Sequence, residues 1–433
     1  GPVFTVGSKR SSAPVSGDGW DIEVTLDDGY VEAAGRKDAV CELELELRAG
    51  TPRDLFRLAR ELASEVPLRL GIRTKADRGY ALLAGEGAQV VKSLDPGLDA
   101  TMTAGAAFQA IARACLKQLI ANESALIQAR EPGAVHQMRV AIRRLRAAIS
   151  VFRKVVGEKS SHEKASRAVS TELTWMASML SDARDLDVFI DKEVAPIRAK
   201  RPRNKDAAQL SAHFARERDA AYDDALDALD SERYRLMLLD TAAWIEAGAW
   251  LAKAGRARKA AEPSRRDAPV GEFAADELAR RTRRVRKKGR RISRMEIEER
   301  HQLRISVKKL RYAAEFFAPV FAGLNEKTAK RAGKFVRALE LMQERLGDLN
   351  DAATSASLSA RLDRSDPGQA RAARLLEHDD VGHAAEAMAD ARKAYAAFAK
   401  AKPFWEKANW EKANSDKAST DEASTDKEAP PEA

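Results

Sequence analysis

HQMRVAIRRLR, residues 136–146, and HQLRISVKKLR, residues 301–311, decide the reading of this chain. Every aligned position is identical or a like-for-like exchange, such as Met138 for Leu303 and Arg143 for Lys308. A second pair follows in step, LSDARD at 180–185 and LGDLND at 346–351. The chain therefore holds an internal duplication, and what it keeps is a histidine followed by a run of cations. On a helical wheel at about 100° per residue, Arg139, Arg143 and Arg146 fall within roughly 80° of His136. Met138, Ile142, Leu145 and Ile149 gather on the opposite side. The second copy repeats the phase, with His301, Arg304, Lys308 and Arg311 opposite Leu303, Val307, Leu310 and Ala314. Arg144 and Lys309 stand at the edge of their ladders.

Solvated helix faces usually mix charge signs, because opposite charges four residues apart support the helix. These ladders carry no acid from 136 to 153 or from 301 to 314. Like charges one turn apart repel, so the arrangement costs stability unless an anion compensates. Ten residues of helix span about 15 Å, and two ladders are expected to line a track of roughly 30 Å. That geometry suits a linear polyanion, either polyphosphate or a nucleic-acid backbone, better than a single phosphate. Arginine predominates, which fits bidentate phosphate contacts. For the two histidines, two readings stand: a phosphate donor whose affinity grows as pH falls, or a structural residue near the helix start.

The segment RRTRRVRKKGRR, 280–291, precedes the second ladder and offers Arg284 and Lys288 as a second wall. Arg113 and Lys117 occupy the corresponding helix of the first copy. A nuclear-targeting signal and plain solvation are the alternatives for this basic run. The acids Asp182, Asp185, Asp348 and Asp351 are expected to cap helices or orient ladder arginines, and no metal site is expected from them.

Composition frames the rest. The chain has 433 residues, 33% charged and 6% aromatic, with a net charge of +9. That length predicts two or three domains. Two cysteines, Cys41 and Cys115, argue against a disulfide framework or a zinc site. No apolar run reaches about 18 residues, so no membrane span is expected. Gly1-Pro2 reads as a cleavage scar.

Residues 1–19 are expected to be disordered. Residues 20–84 are expected to form a small α+β segment, with a hairpin turning at Asp27–Gly29 and a strand in 72–83. Glu42, Glu44 and Glu46 face one way in it and Leu43, Leu45 and Leu47 the other. A linker is expected at 85–102. Helices are expected over 104–130, 134–156, 161–180, 205–228, 231–254, 272–291, 295–318, 326–346 and 367–399. They divide into repeat halves of about 103–260 and 271–400, followed by a low-complexity tail at 401–433.

The ladder pattern, twice in a helical repeat and each time followed by L-[SG]-D-x-[RN]-D, resembles the CHAD domain (conserved histidine α-helical domain) over roughly 103–400. That resemblance implies two four-helix bundles related by pseudo-two-fold symmetry, so the fold is expected to be mainly α. It also implies inorganic polyphosphate along the basic surface, carried by the ladder residues named above, and association with polyphosphate granules. Segment 20–84 resembles the C-terminal half of a CYTH domain, a triphosphate tunnel, as found in CYTH–CHAD fusions. IEVTLDDG, CELELEL and RTKADRGYAL carry this likeness. Glu42, Glu44, Glu46, Arg73 and Lys75 are the tunnel positions that remain, while the E-x-E-x-K opening signature is absent. The segment is therefore expected to be either a fragment or a degenerate remnant.

The expectation is a non-enzymatic polyphosphate-binding module with no cofactor, no catalytic residue and no membrane partner. The alternatives are an inorganic triphosphatase and a phosphate-backbone nucleic-acid binder. The ladders lack the aromatics that stack bases. The expected location is the cytoplasm, with polyphosphate granules and the nucleus left open.

Overall fold

The computed structural model describes residues 3–157, 159–252, 264–376 and 380–406. The described chain is mainly helical and opens with one three-stranded antiparallel sheet of order β1-β2-β3. The strands are β1 (Thr5–Gly17), β2 (Trp20–Ala33) and β3 (Arg36–Ala49). The helices that matter below are α1 (Pro52–Glu65), α2 (Lys75–Ala84), α3 (Ala104–Ala121), α4 (Glu123–Ala129), α5 (Pro132–Val151), α6 (Arg153–Val156), α7 (Ser160–Met179) and α8 (Ser181–Phe189). After a π turn at Ile190–Val194 come α9 (Ala195–Lys200), α10 (Lys205–Asp230), α11 (Glu232–Ala247), α12 (Val270–Gly289), α13 (Ile297–Ala322), α14 (Glu326–Ser359), α15 (Pro367–Arg374) and α16 (Asp380–Lys400).

Three expectations for the N-terminal segment are corrected. Residues 5–17 are a strand, paired with β2 from Thr5↔Glu32 to Gly17↔Trp20. Their Gly/Ser-rich composition masked a strand stabilised by its partner: Arg10 Nε donates to Asp27 at 2.8 Å, and Ser12 and Thr25 hydroxyls share a 2.8 Å bond. The turn does not fall at Asp27–Gly29. β2 runs through it, and a Cβ at Gly29 would stand 2.0 Å from the Gly7 carbonyl oxygen. Gly29 thus serves the close approach of β1. The β2–β3 turn is Ala34-Gly35, with φ of 49° and 71°, the pair of positive values that a tight hairpin turn requires. The strand expected within 72–83 is helix α2. Its start is a capping box, in which Asp77 N donates to Thr74 Oγ1 at 3.1 Å and Thr74 N to Asp77 Oδ2 at 2.9 Å.

The chain clusters into two compact units. The first comprises the described parts of Gly1–Asp95, Ile111–Ile149 and Val156–Lys259. The second comprises the described parts of Pro96–Ala110, Ser150–Val155 and Ala260–Ala433. These units also divide at 259/260, but residues 96–110 and 150–155 fall in the second unit, and the sheet segment belongs with the first. In that unit α1 ties to α11 through an Arg60–Asp240 ion pair, and Arg69 reaches Asp230 at 2.8 Å. In the second unit, Phe152 is the reason that 104–110 and 150–155 belong with α12 and α13. Its ring lies 5.5 Å from Phe108, 4.8 Å from Phe273 and 5.5 Å from Phe317. Backbone bonds from Ala104 N to Ala268 O and from Val270 N to Met102 O, 2.8 and 2.9 Å, close the same corner.

The remaining helices match the expected periodicity, with additions. α8, the π turn and α9 fill 181–200, where the pattern predicted no helix. α14 runs unbroken through LGDLND, so Asp348 caps nothing and instead accepts from Arg345 at 3.2 Å. The Asp351 side chain and residues 407–433 lie outside the described structure, as does most of the expected low-complexity tail. No helix among the described residues is long and apolar enough to cross a membrane.

Candidate functional site

Each unit carries one ladder, and in each the apolar stripe holds the helix in place. Met138, Ile142 and Leu145 of α5 are at most 1% exposed. Leu303, Val307 and Leu310 of α13 are fully buried. Each such side chain stabilises its helix by about 1.5–3 kcal/mol. Pro132 stands at the first position of α5, where its missing N–H is harmless. α13 starts with a capping box between Glu296 and Glu299.

In the first unit the ladder lies in a trough. His136, Arg139, Arg143 and Arg144 are half-buried, and Arg146 at the end is exposed. Arg139 Nη1 donates to the Ala177 carbonyl of α7 at 3.0 Å, and its Nη2 lies 4.0 Å from Asp185 of α8. The opposite flank is α3. Gln118 Nε2 donates to Gln137 Oε1 at 3.0 Å, and Arg144 bonds with the buried thiol of Cys115. Burial pushes that thiol up to about 11, so it stays protonated.

Two consequences follow for charge. The Nε atoms of Arg139 and Arg143 are buried without a hydrogen-bond acceptor. His136 is pushed down to about 4, first by burial and then by Arg184, Arg143 and Arg139. At neutral pH it is therefore a neutral ring among three guanidinium groups. Asp185 is raised by its own burial, with Arg139 opposing. Asp185 and Asp182 both act on Arg139, and Asp187 acts on Arg184.

Arg184 was not singled out by the sequence reading. It lies in the repeated hexapeptide LSDARD, whose second-copy counterpart is Asn350. The recurrence of the hexapeptide in step with each ladder was the available signal, although the arginine itself occurs in the first copy alone.

In the second unit, His301 is exposed and Arg304 and Lys308 are half-buried. Arg304 Nε is again buried without an acceptor, matching Arg139 in the first copy. Lys309 is exposed. Lys288 of α12 sits beside α13, 3.4 Å from Ser306 Oγ, and burial and then Arg284 lower its pKa. Of the two expected second-wall residues, Lys288 is thus the one that meets α13.

Three assignments are corrected. Arg113 pairs with Glu246 of α11, Nε to Oε1 at 2.6 Å, which is a structural ion pair. Lys117, two residues from Cys115, is exposed and exerts its field on Asp77. Both stand two positions from Cys115, which faces the ladder, so helical phase turns them away from it. Arg311 donates from Nε to Gln343 Oε1 at 2.9 Å and pairs with Glu315 one turn on. The acid-free run ends at 314, and Glu315 directly after it is four residues from Arg311. The first copy has Ser150 where the second has Glu315, so Arg146 meets no such acid.

In the sheet, Glu42, Glu44, Arg73 and Lys75 do line one cavity of about 500 Å³. Lys75 Nζ lies 2.8 Å from Asp27, 2.9 Å from Glu42 and 2.9 Å from Glu44. Hydrogen bonds from Arg10 and Lys75 hold the Asp27 carboxyl well below the usual range. Glu46 instead meets Arg48 at 2.8 Å. Among the described residues, no group of three His, Cys, Asp or Glu is arranged to hold a metal ion.

A family model described as "CHAD domain" matches residues 110–360. That span contains both ladders. The crystal structure of the CHAD domain from the plant Ricinus communis is similar, at 25% identity and a TM-score of 0.57. The match covers 73% of this chain and 98% of that one. PptA from Streptomyces chartreusis matches at 18% identity over 69% of this chain and 99% of its own, with a TM-score of 0.43.

Proposed function

This chain belongs to the CHAD domain family, and from that premise we propose that it binds inorganic polyphosphate through the basic face of each unit. The family is associated with polyphosphate. The observation that carries the reading is the set of buried, acceptor-less Nε atoms on Arg139, Arg143 and Arg304. A buried donor without an acceptor costs roughly 1–3 kcal/mol, and phosphate oxygens satisfy such donors bidentately. The guanidinium groups around neutral His136 support the same anionic ligand. In the second unit Arg304, Lys308, Lys309, Lys288 and Arg284 are the ligand-facing set, with His301 at the rim.

The reading is of a binding module rather than an enzyme. The sheet is compatible with a CYTH-like remnant. This reading takes the sheet as non-catalytic because Lys75 and Arg10 engage the carboxylates that a triphosphate-bound metal would need. Cytoplasmic polyphosphate, free or in granules, is the partner this reading assigns.

The test is a competition assay. Long-chain polyphosphate, triphosphate and single-stranded RNA are titrated against the full chain and against the R139A/R143A/R304A/K308A variant. Long-chain polyphosphate is expected to bind most tightly, with a log–log salt slope of roughly 0.7 per contacted charge. The variant is expected to lose that binding while keeping its helicity. RNA displacing polyphosphate, metal-dependent phosphate release from triphosphate, or full affinity in the variant each refutes the proposal.

A further inference from the structure

Helix α12 carries a cationic face that the ladder does not use. From Leu278 to Met295 the chain has ten Arg or Lys residues and no acid. Four of these cations already have roles within the second unit. Arg280 and Arg281 pair with Glu277 at 2.5 and 3.2 Å, and Arg281 also donates to the Ser150 carbonyl at 2.7 Å. Arg286 donates to the Ala401 carbonyl at 2.8 Å, and Lys288 meets Ser306.

Arg283, Lys287, Arg290 and Arg291 are different. All four are exposed, and none has an acidic partner among the described residues. On the wheel Arg283 and Lys287, four residues apart, lie within about 40° of one another, and Arg290 and Arg291 follow directly after the end of α12 at Gly289. Like charges at this spacing are mutually destabilising. Favourable interaction with the helix C-terminus reaches only the last turn, which leaves Arg283 unexplained. Arg284 and Lys288 continue this face around the helix toward α13. Lys288 meets α13 at Ser306, so this face adjoins the second ladder.

We propose that this outer face of α12 is a further polyphosphate-contacting surface, engaged by chains too long for the ladder alone. This inference rests on the polyphosphate reading and adds chain-length preference to it. The α13 ladder spans about 15 Å. A chain of that length has its phosphates within reach of Arg304, Lys308, Lys309 and Lys288. A longer one has further phosphates to place, and charge complementarity puts them on Arg283, Lys287, Arg290 and Arg291. The stretch exposes no aromatic side chain, so contact is with phosphate and not with stacked bases.

The experiment compares the full wild-type chain with R283Q/K287Q/R290Q/R291Q. These side chains are exposed, so far-UV circular dichroism and melting temperature are expected to be retained. Each protein is titrated with a short polyphosphate no longer than the ladder and with a long one, over a range of salt. The variant is expected to bind the long polymer about tenfold or more weakly. Its salt slope is expected to be smaller by roughly three, from about 0.7 for each of the four charges. Short-chain affinity is expected to stay within about twofold. Unchanged long-chain affinity, or equal loss for both lengths, overturns the inference while leaving the ladder reading standing. Duplex DNA that long polyphosphate cannot displace from the wild type, but that fails to bind the variant, overturns it in favour of a nucleic-acid surface. A wild type that binds neither polymer overturns both readings.

Discussion

His136 offers the sharpest single-residue test of the basic trough. In the free protein burial and three neighbouring guanidinium groups hold it at about 4, against an ordinary value near 6.5. Its folded value lies below its unfolded one. Its contribution to stability is therefore full above about pH 6.5 and declines as pH falls toward 4. A bound polyanion reverses the field that depresses it. The complex then has the higher pKa, so affinity rises as pH falls through that value and levels off below about 4. If binding restores the ordinary 6.5, the gain at pH 5 over pH 7.5 is about 30-fold; if it restores about 5.5, the gain is about 4-fold. Asp185 also titrates on the acid side, because burial raises it, and its protonation releases Arg139. The H136Q variant isolates the histidine, since it keeps Asp185 and removes only the ring. The assay is polyphosphate affinity from pH 7.5 to 5 for both proteins, with the His136 ring followed by NMR. A ring that titrates near 4 with and without saturating polyphosphate, or two identical pH profiles, refutes the reasoning.

Two further outcomes are expected. Phe152→Ala, at the centre of the Phe108, Phe273 and Phe317 ring cluster, should destabilise the second unit by about 3–5 kcal/mol in denaturant unfolding. Lys75→Met should release the Asp27 carboxyl upward and destabilise the sheet. The loss is expected to be largest at neutral pH, where Asp27, Glu42 and Glu44 are charged, and to shrink as pH falls through the carboxylate range. A loss independent of pH in thermal unfolding rules out the ion cluster as its cause.

The helical faces were legible because amphipathic phase is local. Met138, Ile142 and Leu145 are buried as the wheel placed them, and Leu303, Val307 and Leu310 likewise. Gly29 was misread for the complementary reason. A glycine after two acids signals a turn, yet here it admits the Gly7 backbone, a neighbour supplied by a strand whose own composition spoke against order. α2 was legible in principle, since Thr74 and Asp77 spell a capping box before it.

By itself the sequence determined the duplication, the mainly helical fold and which face of each ladder helix is apolar. Those properties follow from the spacing of side chains on one helix. Only the tertiary structure decided which cations stay uncompensated. Glu246 reaches Arg113 from 133 positions away, while Arg184 comes from α8 to depress His136. Charge compensation depends on distance in space, and the helical wheel holds no information about the helices packed beside it.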